Sequence, residues 1–199
     1  PKPSSAASDV YKRQINTDNG VTFNGVSSVT TADVVASNGI VHIVDSVIGL
    51  PTVVTFAVAD PNFEILVQAL TRDDLTMDFV GLLNSSTSPP TPLTVFAPVN
   101  NAFVNLLDEL GLNGLNDIDE PTLSAVLTYH VVTGANQLSI NLSDGMEFTT
   151  AGGGALLFNF GDNGEGILTD NNGRTSNIVA VDVQANNGII HAIDTVVLP

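Results

Sequence analysis

An internal repeat constrains this chain more than any other feature. Residues 32–47 read ADVVASNGIVHIVDSV and residues 181–196 read VDVQANNGIIHAIDTV. Nine of the 16 positions are identical: Asp33/Asp182, Val34/Val183, Ala36/Ala185, Asn38/Asn187, Gly39/Gly188, Ile40/Ile189, His42/His191, Asp45/Asp194 and Val47/Val196. The offset is 149 residues, and both copies run on to a Leu-Pro pair, Leu50-Pro51 and Leu198-Pro199. Self-similarity at a fixed offset marks a repeated structural unit. Residues 52–199 therefore read as one complete module. Residues 15–51 read as the C-terminal end of a preceding copy whose front is missing. Residues 1–14 have no counterpart in the second copy and hold Lys2, Lys12 and Arg13, three of the five basic residues. They read as foreign to the fold, a cloning or assembly scar, or else as an ordinary flexible linker.

Composition narrows the function classes. At 43% hydrophobic over 199 residues, the chain can fill a core. Its 21 acidic residues against 5 basic ones leave a formal charge of −16. Without residues 1–14 the balance is 20 acidic to 2 basic, a net of −18. Nucleic-acid binding needs clustered cations to replace counterions, so it is excluded as an expectation, and so is docking on anionic lipid. No apolar run approaches the ~20 residues of a membrane helix. With no cysteine, thiol catalysis, disulfides and cysteine-held metals are ruled out.

The whole module opens with helices. Asp60 is placed to cap and Pro61 to occupy the first helical position, with Phe63, Leu66, Val67 and Leu70 on one stripe. A short helix over about 74–83 would bury Leu75, Phe79 and Leu82, and residues 84–92 read as a loop. Residues 93–99 form an apolar run of strand length. Asn100 is expected to cap the next helix, which Gly111 stops. Another helix starts near Asp119-Glu120-Pro121. Strands are expected at 138–142, 146–150, 155–160, 167–169, 177–185 and 189–198. The last two flank Asn187-Gly188, a pair that predicts a type I′ turn with positive φ at both residues; Asn38-Gly39 predicts the same turn earlier. Helices first and strands later predict an α+β fold.

Three stretches carry a family resemblance. Residues 93–103, LTVFAPVNNAF, resemble the first signature box of fasciclin domains. Residues 127–132, LTYHVV, resemble their Tyr-His segment, and residues 187–194, NGIIHAID, their second box. Asn38 to Asp45 matches the second box again. The resemblance implies an α+β module with a β-wedge or sandwich and N-terminal helices packed on it. It also implies an extracellular or cell-surface location and a role in adhesion without catalysis, in the style of bacterial tandem fasciclin proteins. The expected partner is a cell-surface or matrix protein or polysaccharide. A second possibility is a carrier of a small apolar ligand, such as a pigment, held between helices and sheet.

Tyr129 and His130 are the candidate binding residues. By resemblance to integrin-binding animal relatives, His130 would be a contact or switch residue. By its own stripe, shared with Leu123, Val126 and Leu127, it would be a packed histidine; the chain holds no Arg-Gly-Asp. His191 beside Asp194, and His42 beside Asp45, invite a catalytic reading, but residues three apart on a strand face opposite ways. No catalytic residue, metal ligand or cofactor is assigned. Phe96, Pro98, Asn100, Asn187, Gly188, His191 and Asp194 read as fold-determining. The clusters Asp162-Asn163-Gly164-Glu165 and Asp170-Asn171-Asn172-Gly173 lack the ligand spacing of a calcium loop and read as turns.

Overall fold

The computed structural model describes residues 15–17, 20–85 and 92–199. Residues 1–14, and most of the loop expected at 84–92, lie outside them. The first part of the chain builds a four-stranded antiparallel sheet in the order β1 (Ile15–Asn16), β2 (Thr22–Phe23), β3 (Ser27–Ala36), β4 (Gly39–Val44). Helices follow: α1 (Val53–Ala59), α2 (Glu64–Leu70), α3 (Phe79–Asn84), α4 (Asn100–Leu110) and α5 (Glu120–Tyr129), with β5 (Leu93–Pro98) between α3 and α4. The remaining strands are β6 (Val131–Thr133), β7 (Met146–Thr149), β8 (Ala155–Phe160), β9 (Gly166–Thr169), β10 (Thr175–Ala185) and β11 (Gly188–Ile193). Together with β5 they form a seven-stranded sheet in the order β6-β5-β11-β10-β9-β8-β7. The α+β class expected from the sequence is what the chain adopts.

One pairing in this sheet is parallel, β5 against β11, from Gly188↔Leu93 to Ile193↔Pro98. The two ends of the sheet meet where Val132 bridges Thr150 and the Ala151 amide donates to the Val131 carbonyl at 2.7 Å. The sheet thus curls into a nearly closed wedge. Side chains alternate along β5, as strand geometry requires. Leu93, Val95 and Ala97 join a core shared with the helices, including Phe56, Leu66, Phe79, Phe103 and Leu127. Phe96 points the other way, into a core inside the wedge with Tyr129, Phe148, Phe158, Leu168 and Ile193. Buried on both faces, β5 reads as a continuous apolar run.

Local signals explain most helix ends. Asp119 accepts from the Thr122 amide and starts α5. Gly111, at φ 67°, ends α4 in the left-handed conformation that glycine adopts without a Cβ penalty. Asp60 caps a 3-10 turn, Pro61–Phe63, that leads into α2. Four expectations are corrected. A helix precedes Asp60: α1 carries a β-branched sequence, VVTFAVA, held by a capping box between Thr52 and Thr55. The helix expected at 74–83 starts only at Phe79, because Asp78 supplies its cap, and Leu83 rather than Leu82 is buried. The strand expected at 138–142 is instead a 3-10 turn, Ser139–Asn141, since Asp182 accepts from the Ser139 amide and draws the chain out of strand geometry. Asn100 does not cap α4. Its Oδ1 accepts from the Ile65 amide at 2.9 Å and its Nδ2 donates to the Pro61 carbonyl at 2.8 Å, so it clamps α2 onto α4.

The repeat appears as two hairpins of the same register. In β3–β4 the pairs are Val29↔Val44, Thr31↔Ile43, Val34↔Val41, Val35↔Ile40 and Ala36↔Gly39. In β10–β11 the partners sit 149 residues on, with bulges at the same places. Asp33 and Asp182 occupy the bulge at φ 59° and 60°, a conformation that Asp tolerates better than most residues. The turn expectation is corrected in both. The turn residues are Ser37-Asn38 and Asn186-Asn187, neither pair has positive φ, and Gly39 and Gly188 are the first strand residues beyond them. What differs is burial. Ile40 is 61% exposed where Ile189 is 0%, and Val47 is 91% exposed where Val196 is 0%.

Candidate functional site

α5 delivers the Tyr-His segment to the seam between the two cores. Tyr129 is the last helical residue, and His130 follows at φ −84°, ψ −2° before the chain enters β6. The Tyr129 hydroxyl donates to the Ala155 carbonyl and accepts from the Asn171 amide at 3.2 Å. Burial raises its pKa above the usual phenol value, with Asp170 adding to the rise and the Asn171 amide opposing it. A Cβ at Gly154 would stand 2.4 Å from the Tyr129 ring, so glycine is required there for the ring to seat. His130 is equally enclosed. Its Nδ1–H donates to the Val126 carbonyl at 2.7 Å, which leaves Nε2 to accept from the Val197 amide at 3.3 Å. Burial lowers its pKa to about 4, against smaller opposing effects of the Val126 carbonyl and Asp170. The histidine is therefore neutral at pH 7, with both ring nitrogens engaged.

Asp170 completes this seam. Its carboxylate accepts from the Asn172 and Arg174 amides, each at 2.9 Å, and from the Leu198 amide at 2.8 Å. The Asp170-Asn171-Asn172-Gly173 stretch is thus a turn, closed by side chain and backbone, that fastens residues 197–198 beside His130. Arg174, just beyond it, forms a two-pronged ion pair with Glu109 of α4 at 2.6 and 2.9 Å.

His191 and Asp194 are not brought together. His191 is fully buried, donates through Nε2 to the Gln137 carbonyl at 2.8 Å and stacks on Phe96 with ring centroids 5.7 Å apart. Asp194 binds the start of β10 instead, accepting from the Asn177 amide and side chain at 2.8 Å each. Burial alone would raise its pKa, yet hydrogen bonds from Asn177, Thr195 and Ser176 outweigh that and hold it below the usual value. Asp45 repeats the arrangement on the Ser28 amide at 2.8 Å. Pro98 closes β5 opposite Ile193. Among the described residues, no group of three or more His, Asp or Glu side chains is placed to hold a metal ion.

Two roles could not be read from the sequence. Asn187 is buried and reaches two other segments: Oδ1 accepts from the Val53 amide at 3.0 Å, and Nδ2 donates to the carbonyls of Leu83 at 2.6 Å and Ser85 at 2.9 Å. It joins the hairpin turn to the start of α1 and the end of α3. Gly188 matters for space, because a Cβ there would lie 2.3 Å from the Leu93 carbonyl oxygen. The bulge at Asp33 and Asp182 did leave a signal, an Asp at the same place in both copies.

The fasciclin-domain profile matches residues 4–51 and 61–199. This chain belongs to the fasciclin-domain family. It is 35% identical over 153 residues to the uncharacterized protein sll1735 of Synechocystis sp., covering 75% of this chain and 98% of that protein. It is 33% identical over 108 residues to the cell surface glycolipoprotein MPB83 of Mycobacterium bovis, covering 53% and 43% of the two chains. Among solved structures it resembles the domain pair of the insect cell adhesion molecule Fasciclin I at a TM-score of 0.60 and 22% identity, covering 94% of this chain and 67% of that one. Fasciclin domains thus occur in cell-adhesion and surface proteins, and the fold of this chain is theirs.

Proposed function

We propose that this chain is an extracellular adhesion module acting through tandem copies, with a cell-surface or matrix protein or polysaccharide as partner and no catalysis. The observation that carries the reading is a hairpin built twice in one chain of a family found in adhesion and surface proteins. The chemistry of the buried groups supports it. Tyr129, His130, His191 and Asp194 are each held by structural hydrogen bonds, so we assign Tyr129 and His130 to the fold and not to partner contact. Arg72 and Arg174, the basic side chains among the described residues, are both ion-paired. The surface is accordingly acidic, and attachment to an anionic matrix is expected to strengthen with salt or divalent cations. For a carrier, the space between α1, α2, α3 and the sheet is a void of about 20 Å³, lined by Val53, Phe63, Leu66, Leu83, Val95 and Ile190, among others. That is room for about one water molecule.

Attachment to matrix polysaccharide and to cells, compared between this chain and a head-to-tail doubled version across salt and with a chelator, tests the proposal. Avidity predicts a gain on the order of 10²-fold or more for the doubled chain. Equal attachment would remove the multivalent reading.

A further inference from the structure

Seven asparagines precede a glycine in this chain: Asn19, Asn24, Asn38, Asn113, Asn163, Asn172 and Asn187. Such a pair is open to attack on the asparagine side chain, because no Cβ obstructs the glycine nitrogen as it approaches Cγ. The structure separates the pairs. Asn24 and Asn187 are buried, and Asn187 is held by three hydrogen bonds. Gly39 is paired with Ala36 at the end of its hairpin. The Gly164 amide donates to the Gly161 carbonyl at 2.9 Å, and the Gly173 amide to the Asp170 carbonyl at 3.0 Å. Asn19 lies outside the described residues.

Asn113-Gly114, between α4 and α5, differs from all of these. Asn113 is exposed. Asp117 holds both flanks of the pair: its Oδ2 accepts from the Asn113 amide at 2.8 Å, and its own amide donates to the Gly114 carbonyl at 3.1 Å. The Gly114 N–H between them has no acceptor among the described residues. Gly114 is extended, at φ −176° and ψ 174°, and a Cβ there would meet nothing within 4 Å. The attacking nitrogen is thus unengaged and has open space around it.

We propose that Asn113 is a site of spontaneous covalent modification, deamidation through a cyclic imide with water as co-reactant. The Gly114 nitrogen gives up its proton to solvent and bonds to Asn113 Cγ. The Cγ–Nδ2 bond breaks, and Nδ2 takes up a proton and leaves as ammonia. Water then opens the five-membered imide at either carbonyl, giving aspartate or isoaspartate; nothing is oxidised or reduced. A carboxylate replaces the carboxamide beside Asp117. The isoaspartate form also lengthens the backbone by one atom just ahead of the 3-10 turn Leu115–Asp117. The Leu115 and Ile118 carbonyls accept from Arg72 Nη1 at 2.7 Å each, so the change reaches the end of α2.

The test incubates the folded chain in H₂¹⁸O at pH 8, digests it in ordinary water and reads the label by peptide mass spectrometry. Label then marks events that preceded digestion. Asn113 should take it up at least ~5-fold faster than Asn163 or Asn172, the factor that one net hydrogen bond on the attacking amide contributes. Both aspartate and isoaspartate should form. Gly114→Ala should suppress labelling at 113 and leave 163 and 172 unchanged. In urea the three sites should converge. Equal rates in the folded chain would overturn the proposal, and so would an undiminished rate in Gly114→Ala. A preference for Asn113 that persists in urea would overturn selection by the fold. Aspartate without isoaspartate would overturn the cyclic route. No readout involves attachment, so the outcome is independent of the adhesion reading.

Discussion

Two copies of one hairpin sit in this molecule under opposite conditions. Residues 27–44 and 176–193 share register, bulges, an Asp at positive φ and a carboxylate tying one strand to the start of the other. One copy lies between helices and wedge with Ile189 and Ile193 fully buried; the other is exposed on the face that carries Val35 and Ile40. The hairpin form therefore does not depend on burial. It is set by local pairing and by the bulge, which survive in both environments. Burial changes what each position must tolerate. Gly188 and Asn187 are locked by contacts with Leu93, Val53 and Leu83, while Gly39 has open space. Elsewhere the first unit touches α1: a Cβ at Gly25 would come 2.8 Å from the Ala59 Cβ.

The largest expected effect breaks the symmetry between the two glycines. Gly188→Val forces β11 away from β5 and should cost about 3 kcal/mol of unfolding free energy, the upper range for overpacking. Gly39→Val should change it by less than about 0.5 kcal/mol, as for a surface position. Denaturant titration of the two variants checks both; equal losses would show that the hairpins are under the same constraint.

Acid should act on residues 52–199 before it acts on the first hairpin. His130 titrates at about 4 when folded against 6.5 as its ordinary value, so between those pH values the unfolded chain binds the extra proton. Stability is then full above pH 6.5 and falls as pH drops towards 4, by on the order of 3 kcal/mol from this residue. The neighbouring bond from the Val197 amide should loosen first. Thermal melts at pH 7, 5.5 and 4, compared with those of His130→Gln, check this; an equal pH slope in the variant would remove His130 as the cause. Below pH 4 the carboxylates Asp194 and Asp45, both held below their usual range, should add a further loss.

Asn187→Ala should cost about 2 kcal/mol, because it strands the Val53 amide and two carbonyls in the interior. Asn38→Ala, at the exposed turn, should be near neutral in the same denaturant titration. The smallest effect is one of equality. Asp45→Ala and Asp194→Ala should speed amide exchange at Ser28 and Asn177 by a similar factor, since both carboxylates hold the same local bond. A much larger factor at Asn177 would mean that burial contributes even to this contact.

Much of the fold was legible in the residues. The 149-residue repeat placed both hairpins, the apolar run at 93–99 placed β5 to within one residue, and Asp119 and Gly111 marked helix ends. Elements were lost where local preference was overruled. The β-branched α1 hides its helix because a capping box and a buried face at Val53, Phe56 and Ala57 outweigh its propensity. Of the seven motif residues, Asn100, Asn187 and Gly188 were recognised as important for reasons that the structure replaced. Their true partners lie 35 to 134 residues away for the two asparagines, and across the sheet for the glycine.

The sequence by itself determined the hairpins, their bulges, most helix caps and the α+β order, because those depend on bonds between residues a few positions apart or on a turn that joins neighbouring strands. Only the tertiary structure decided that β5 enters parallel to β11, that His130 is neutral under residues 197–198, and that Gly188 rather than Gly39 has no room for a side chain. Each of these depends on groups that meet only after the chain has collapsed, where close packing, and not local conformational preference, sets what is allowed.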